Sequence, residues 1–304
     1  MPATLVAFIV IFTAGAVLRS SDVLNKSHAE RLAWMVFSFS LPATILVSLD
    51  GVQFAPTAWK LPFAACLVTV PMVFFSWHLG KVLQLPRQTL GGLLLATGTI
   101  NSVYFAFPVI LATLGDEGLA QAVLFDVGQT TLTLTLLYGL AVWHGPDSTT
   151  PRIAIKRFFR SPAMWALAGI LTLKLFGLRL PIRARELLMP LHLSTTPLAS
   201  LVLGLSINLT AVRTTIPLAP LGVVVRMGGG FLLGSAAVSL LGLEGIERVV
   251  VVLVAGMPAA VVAVIFANET HLDEELVASI VALSICLGVA LLPWLPQLSM
   301  LLLG

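Results

Sequence analysis

Ten times along this chain, a stretch of about 20 apolar residues runs between short clusters of charge, and at 1.5 Å of rise per residue each is long enough to cross the hydrocarbon of a bilayer. The stretches fall near 2–18, 32–49, 61–80, 90–114, 118–142, 162–178, 187–209, 216–241, 249–268 and 276–297. They are apolar on every face, whereas the strands of a membrane barrel are short and alternate in polarity, so the expected class is an all-α polytopic membrane protein with ten transmembrane helices. Composition closes the soluble alternative. Only 10% of the 304 residues are charged, against about 25% in a soluble domain, too few to cover a water-facing surface. The basic residues behind a net charge of +3 sit mainly in the connections between spans, where membrane topology already explains them, so nucleic acid is not expected as a partner. Cys66 and Cys286 lie inside apolar runs without a second ligand at metal spacing, so they read as small core residues.

Lys and Arg in the connections set the orientation. With the N-terminus outside, the cytoplasmic connections hold Arg19, Lys26, Arg31, Lys81, Arg87, Arg152, Lys156, Arg157, Arg160 and Arg213, and the outside ones Lys60, Arg179, Arg183, Arg185 and Arg248. Both termini are therefore expected outside, in an inner or plasma membrane. No Lys or Arg precedes Arg19, so the first stretch reads as a retained span rather than a signal peptide.

The chain repeats itself weakly. Ser40-Leu41-Pro42-Ala43-Thr44-Ile45 in span 2 resembles Thr195-Thr196-Pro197-Leu198-Ala199-Ser200 in span 7, and Asp116-Glu117-Gly118-Leu119 before span 5 resembles Asp273-Glu274-Glu275-Leu276 before span 10, with nearly the same offset. The expected organisation is a first five-helix repeat over 1–143, a basic cytoplasmic connector over 144–161 and a second repeat over 162–304, inverted because each half has an odd number of spans. The same offset sets Asn101 to Pro108 opposite Pro258 to Ile265, each with a helix breaker. Proline removes an amide donor and clashes with the carbonyl a turn back, leaving backbone groups that need partners at membrane depth. Pro108 and Pro258 thus mark expected breaks in spans 4 and 9.

These segments carry a resemblance. Asn101-Ser102-Val103-Tyr104-Phe105-Ala106-Phe107-Pro108, then Gly115-Asp116-Glu117-Gly118 and Val123-Leu124-Phe125-Asp126, is similar to the span 4 to span 5 signature of the auxin efflux carrier family of membrane transporters. Met257-Pro258-Ala259-Ala260-Val261 resembles that family's second broken helix, and Leu41-Pro42-Ala43 fits it as well. The resemblance implies helices 4 and 9 crossing at unwound centres, as in the related bile acid:sodium symporter architecture. It also implies a scaffold of helices 1, 2, 6 and 7, an elevator-like motion of the rest, homodimers formed through the scaffold, and organic carboxylates such as malonate, malate or indole acetate as cargo.

Three charges lie within the spans: Asp126, Lys174 and Arg226. Each costs about 2.5–3.5 kcal/mol at the centre of a helix, so each needs a reason. Lys174, near a span end, reads as snorkelling to the interface. Asp126, Gln129, Thr130 and Thr133 recur at spacings of three and four and so share one polar face. Arg226, just before Gly228-Gly229-Gly230, has two readings: a bidentate ligand for a carboxylate substrate, or a buried partner for Asp126. Of the histidines only His192 lies well inside a span. The resulting expectation is a secondary transporter of a small organic anion. Substrate binds at Asn101, Ser102, Tyr104, Met257, Pro258 and Arg226, and a coupling proton or sodium at Asp126, Gln129 and Thr130; no cofactor is expected. The rivals are a non-transporting sensor or channel of the same fold and an intramembrane enzyme. The enzyme lacks support, since there is one deep Asp and no HExxH sequence.

Overall fold

The computed structural model describes residues 2–21, 23–52, 57–146, 162–206 and 218–303. The described residues are mostly helical, with no strand among them. Helix α1 spans Ala3–Ser20. Helix α2 runs from Lys26–Met35 through a π-helical turn, Val36–Ser40, into Leu41–Gly51, and α3 is Lys60–Val82. The next helical stretch extends from Arg87 to His144, 58 residues or about 87 Å, far longer than one bilayer crossing. It is interrupted twice: the backbone is non-helical at 99–101, and Gly115 (φ 68°, ψ −164°) breaks the helix at a kink. We therefore separate α4a (Arg87–Gly98), α4b (102–114) and α5 (116–144). Helices α6 (Pro162–Leu175) and α7 (Ile182–Ser206) follow. Helix α8 comprises Leu218–Val223, a π-helical turn Val224–Gly229 and Gly230–Leu241, and α9a is Gly245–Ala255, α9b Val262–Glu269 and α10 Glu274–Leu291, with a last helix, α11, at Leu295–Leu303. The connector 144–161, with Arg152, Lys156, Arg157 and Arg160, falls outside the described residues beyond Pro146, as does Arg213.

Among the described residues, seven helical stretches are long and apolar enough to cross a membrane. Exposed Trp59, Trp143 and Trp294 stand at helix ends, where an amphipathic indole suits the bilayer interface. The chain is a polytopic membrane protein.

Proline does less to these helices than its chemistry alone predicts. Pro71, Pro190 and Pro197 lie inside uninterrupted helices. Ahead of Pro42 and of Pro108 stand π-helical turns, whose wider spacing takes the carbonyl one turn back out of the path of the proline ring.

The described residues form two compact units. The first gathers α1, α2, residues 103–123, α6 and α7. Within it α1 packs on α7 where Gly15 and Gly204 meet: a Cβ on Gly204 would overlap the carbonyl oxygen of Phe12. Gly204→Ala is expected to cost ~1–3 kcal/mol by overpacking, read as a lower thermal midpoint in detergent; an unchanged midpoint would refute the close approach. Helices α2 and α7 meet at the sequence-matched segments, where the Thr44 and Thr195 hydroxyls pair at 2.7 Å and Ser40 and Ser194 at 3.1 Å. Lys174 does not simply snorkel, because its ammonium donates to the carbonyls of Asp50 and Val52 at the end of α2.

The second unit gathers α3, α4a, residues 124–146, α8, α9a, α9b, α10 and α11. Asp273 caps α10, accepting the Leu276 N–H at 3.1 Å and the Thr89 hydroxyl at 2.9 Å. Asp116, its match by sequence offset, lies in the first unit and instead accepts the Ser48 hydroxyl at 3.1 Å and stands 3.5 Å from His192 Nε2.

Candidate functional site

A helix that stops at membrane depth leaves carbonyls at its C-terminal end without amide partners. Helix α4a stops at Gly98, where Thr99 turns extended (φ −87°, ψ 145°), and helix α9a stops at Ala255 before a non-helical stretch, 256–261. The first break overlaps the start of the expected segment Asn101 to Pro108: 99–101 are non-helical, 102–106 form a π-helical turn, and Pro108 itself is helical. The second falls at Pro258 as expected.

The two breaks are joined to each other. The backbone N–H of Asn101 donates to the carbonyl of Pro258 at 2.9 Å, and its side-chain amide approaches the Ala259 carbonyl at 3.5 Å. Helices on either side supply the remaining partners. Gln129 on α5 donates to the freed Gly98 carbonyl at 3.0 Å and accepts from the buried Thr69 hydroxyl at 2.5 Å. Ser284 on α10 accepts the Ala259 N–H at 3.1 Å. Gln129 and Ser284 are separated by the same offset of 155 as the matched segments of α2 and α7.

Arg226, in the π-helical turn of α8, is wholly buried. It donates to the Thr97 carbonyl at 2.6 Å and to the Ala255 carbonyl. Neither reading drawn from the sequence included these partners. Among the described residues no carboxylate stands within ion-pair distance of it.

Asp126 is half-buried and accepts the Thr130 hydroxyl at 3.1 Å, and Gln129 donates to Thr133 at 3.4 Å, so the polar face read from spacing is real as two adjacent pairs. The Ser102 hydroxyl faces the Asp126 carboxylate without closing a hydrogen bond to it, and the Thr99 hydroxyl is buried without a partner. Asn101, Ser102, Asp126, Gln129, Thr130, Arg226, Met257 and Pro258 all belong to the second unit. Tyr104 and Pro108 belong to the first, where the Tyr104 ring meets Phe37 edge-on at 5.4 Å. Sequence reasoning passed over Thr69, Thr99 and Ser284. A lone Ser or Thr in a membrane helix more often bonds its own helix, and only the offset from Gln129 could have singled out Ser284.

Gln129→Glu tests the support of the first break. The carboxylate still accepts from Thr69 but no longer donates to Gly98, and an orphaned buried carbonyl costs ~1–3 kcal/mol. The thermal midpoint is expected to fall by roughly 2–8 °C, and Gln129→Leu, which orphans Thr69 as well, to fall further. Equal midpoints for all three proteins would refute the assignment.

A sequence profile described as "Membrane transport protein" matches residues 3–295. An uncharacterised transporter of Methanothermobacter thermautotrophicus is 29% identical over 294 residues, covering 95% of each chain. An uncharacterised transporter of Methanocaldococcus jannaschii is 26% identical over 290 residues, covering 89% of this chain and 90% of its own.

Proposed function

This chain belongs to the membrane transport protein family, the auxin efflux carriers, and from that membership we propose that it is a secondary transporter, without enzymatic chemistry, that moves a small organic carboxylate across the bilayer. The observation that carries the proposal is the bond between the breaks, Asn101 N–H to Pro258 carbonyl. Paired interruptions in equivalent helices free backbone groups and helix ends to replace the hydration a solute loses on entering the membrane. Substrate is assigned to Asn101, Ser102 and the backbone at Met257 and Pro258, and a coupling proton or sodium to Asp126 with Thr130. Gln129, assigned from the sequence to the ion, acts here through the Gly98 carbonyl.

Ten crossings are assigned to the chain, in inverted halves 1–143 and 162–304 with both termini outside. Besides the seven long stretches, α6 and the two halves of α9 provide short apolar segments, and the 58-residue stretch is two crossings by length. Cysteines placed at residues 2 and 303 and labelled from outside intact cells test the orientation, and labelling only after permeabilisation would reverse it. Transport is assigned to an elevator-type movement of the second unit, which holds both breaks, with α1, α2, α6 and α7 as scaffold and homodimer contact.

Flux tests the function. Protein reconstituted in liposomes is expected to take up labelled malonate, malate or indole acetate saturably, and faster under an inward sodium or proton gradient. Ion currents without saturable flux would favour a channel, and no flux of any carboxylate would remove the anion assignment.

A further inference from the structure

We propose that Arg226 is the positioning residue of the paired breaks: one guanidinium caps the C-terminal ends of α4a and α9a together and so fixes the spacing of the backbone that carries Asn101 and Pro258. The two carbonyls it bonds are not arbitrary. Ala255 is the last residue of α9a and Thr97 the last but one of α4a, and both carbonyls lie beyond the reach of their own helices' amides. The end of a helix carries about half a negative charge, so two ends together balance one guanidinium to a first approximation. That balance accounts for a wholly buried arginine with no carboxylate partner among the described residues. A planar fork with two terminal nitrogens meets two separate carbonyls, which a point-charged ammonium does with poorer geometry.

The neighbouring glycines support the same role. A Cβ on Gly230 would overlap the Ala255 carbonyl oxygen and crowd the Arg226 nitrogen bonded to it, and one on Gly234 would lie 2.7 Å from the Ala255 Cβ. Gly228 has open space where a Cβ would be. Of the glycine triplet, then, the third member is the one that lets the end of α9a come down onto Arg226. Gln129 on the Gly98 carbonyl completes the set, leaving the last two carbonyls of α4a each with a side-chain donor.

The inference concerns the architecture of the breaks and holds whatever is transported, so its test needs no substrate. Hydrogen–deuterium exchange of the full-length protein in detergent reads peptides covering 99–106 and 256–263, whose Asn101 and Ala259 amides close the junction. Arg226→Met is expected to speed exchange in both peptides at least tenfold and leave α1 and α7 within twofold of wild type. Arg226→Lys keeps the charge but loses the fork, and is expected to fold and to speed both peptides at least threefold. Gly230→Ala sets its Cβ against the Ala255 carbonyl oxygen and the one Arg226 nitrogen bonded to it, leaving the nitrogen on the Thr97 carbonyl untouched, so it is expected to speed 256–263 several-fold more than 99–106. Wild-type exchange in both peptides of Arg226→Lys, or equal effects of Gly230→Ala on the two peptides, would overturn the proposal. If Arg226→Met does not fold, these two variants decide, and an Arg226→Lys protein that is itself unfolded also overturns it, because the charge balancing the two helix ends is still present.

Discussion

Asp126→Asn is expected to abolish gradient-driven accumulation while leaving exchange of substrate across the membrane nearly intact. The substitution keeps the size of the side chain and an oxygen able to accept from Thr130, whose hydroxyl lies 3.1 Å from the carboxylate. It removes the charge. A carboxylate facing two hydroxyls, Thr130 and the unpartnered Ser102, is a set of oxygens that suits either a proton or a hard monovalent cation, and at membrane depth an ionisable side chain demands such a purpose. Losing a bond to a charged group costs about 1.5–3 kcal/mol, or roughly 10- to 150-fold in affinity for the ion. Accumulation ratios in liposomes under an imposed sodium or proton gradient are the readout, with counterflow at equal substrate on both sides as the control. A variant that accumulates substrate like wild type removes Asp126 from the coupling site. One that loses counterflow as well assigns it to the fold or to the substrate instead.

The fold could be read from the sequence where it depends on side-chain chemistry summed over many residues, and not where it depends on where single backbone groups end up. Uncharged length revealed the helices, and the nearly constant offset between matching segments set Asn101 opposite Pro258, whereas it matched Thr44 to Ala199 and did not point to the Thr44–Thr195 pair. The first break was expected over Asn101 to Pro108; the helix opens at its start, over 99–101, and the π-helical turn 102–106 accommodates the proline. Nothing in a run such as Thr97-Gly98-Thr99-Ile100 distinguishes the residues that unwind from those that do not, since the deciding partners, Gln129 and Arg226, lie far along the chain.

Arg226 shows the same limit. Its burial cost was evident from the sequence and the search for a compensating charge was sound, but that search considered carboxylates. Helix ends are charges made of backbone, present in every sequence and visible in none. Lys174 repeats the lesson in part: it donates to carbonyls at the end of α2 and is also attracted by the Asp50 carboxylate. Arg226 is thus held by the chain's own helix ends. Asp126 has a serine facing it and no cation paired with it among the described residues, which is the basis for proposing it as the coupling site.

Asn101 is held at the junction by its main chain, which separates its two roles in an experiment. The backbone N–H donates to Pro258 whatever the side chain is, whereas the side-chain amide makes one long contact, 3.5 Å to the Ala259 carbonyl. Asn101→Ala should therefore leave the junction closed and the thermal midpoint within about 3 °C, since a neutral hydrogen bond contributes only ~0.5–1.5 kcal/mol. If the amide donates to a substrate carboxylate, the same substitution loses a charge-assisted bond of about 1.5–3 kcal/mol, and KM for uptake rises roughly 10- to 150-fold with the maximal rate little changed. Asn101→Asp turns the donor into an acceptor aimed at a carbonyl and adds a second negative charge to the one on Asp126, so it should lose anion uptake altogether at neutral pH. Wild-type KM in the alanine variant would confine Asn101 to its backbone role and move substrate recognition to Ser102 and the Met257–Pro258 segment. A tenfold rise with an unchanged midpoint would place its amide on the substrate.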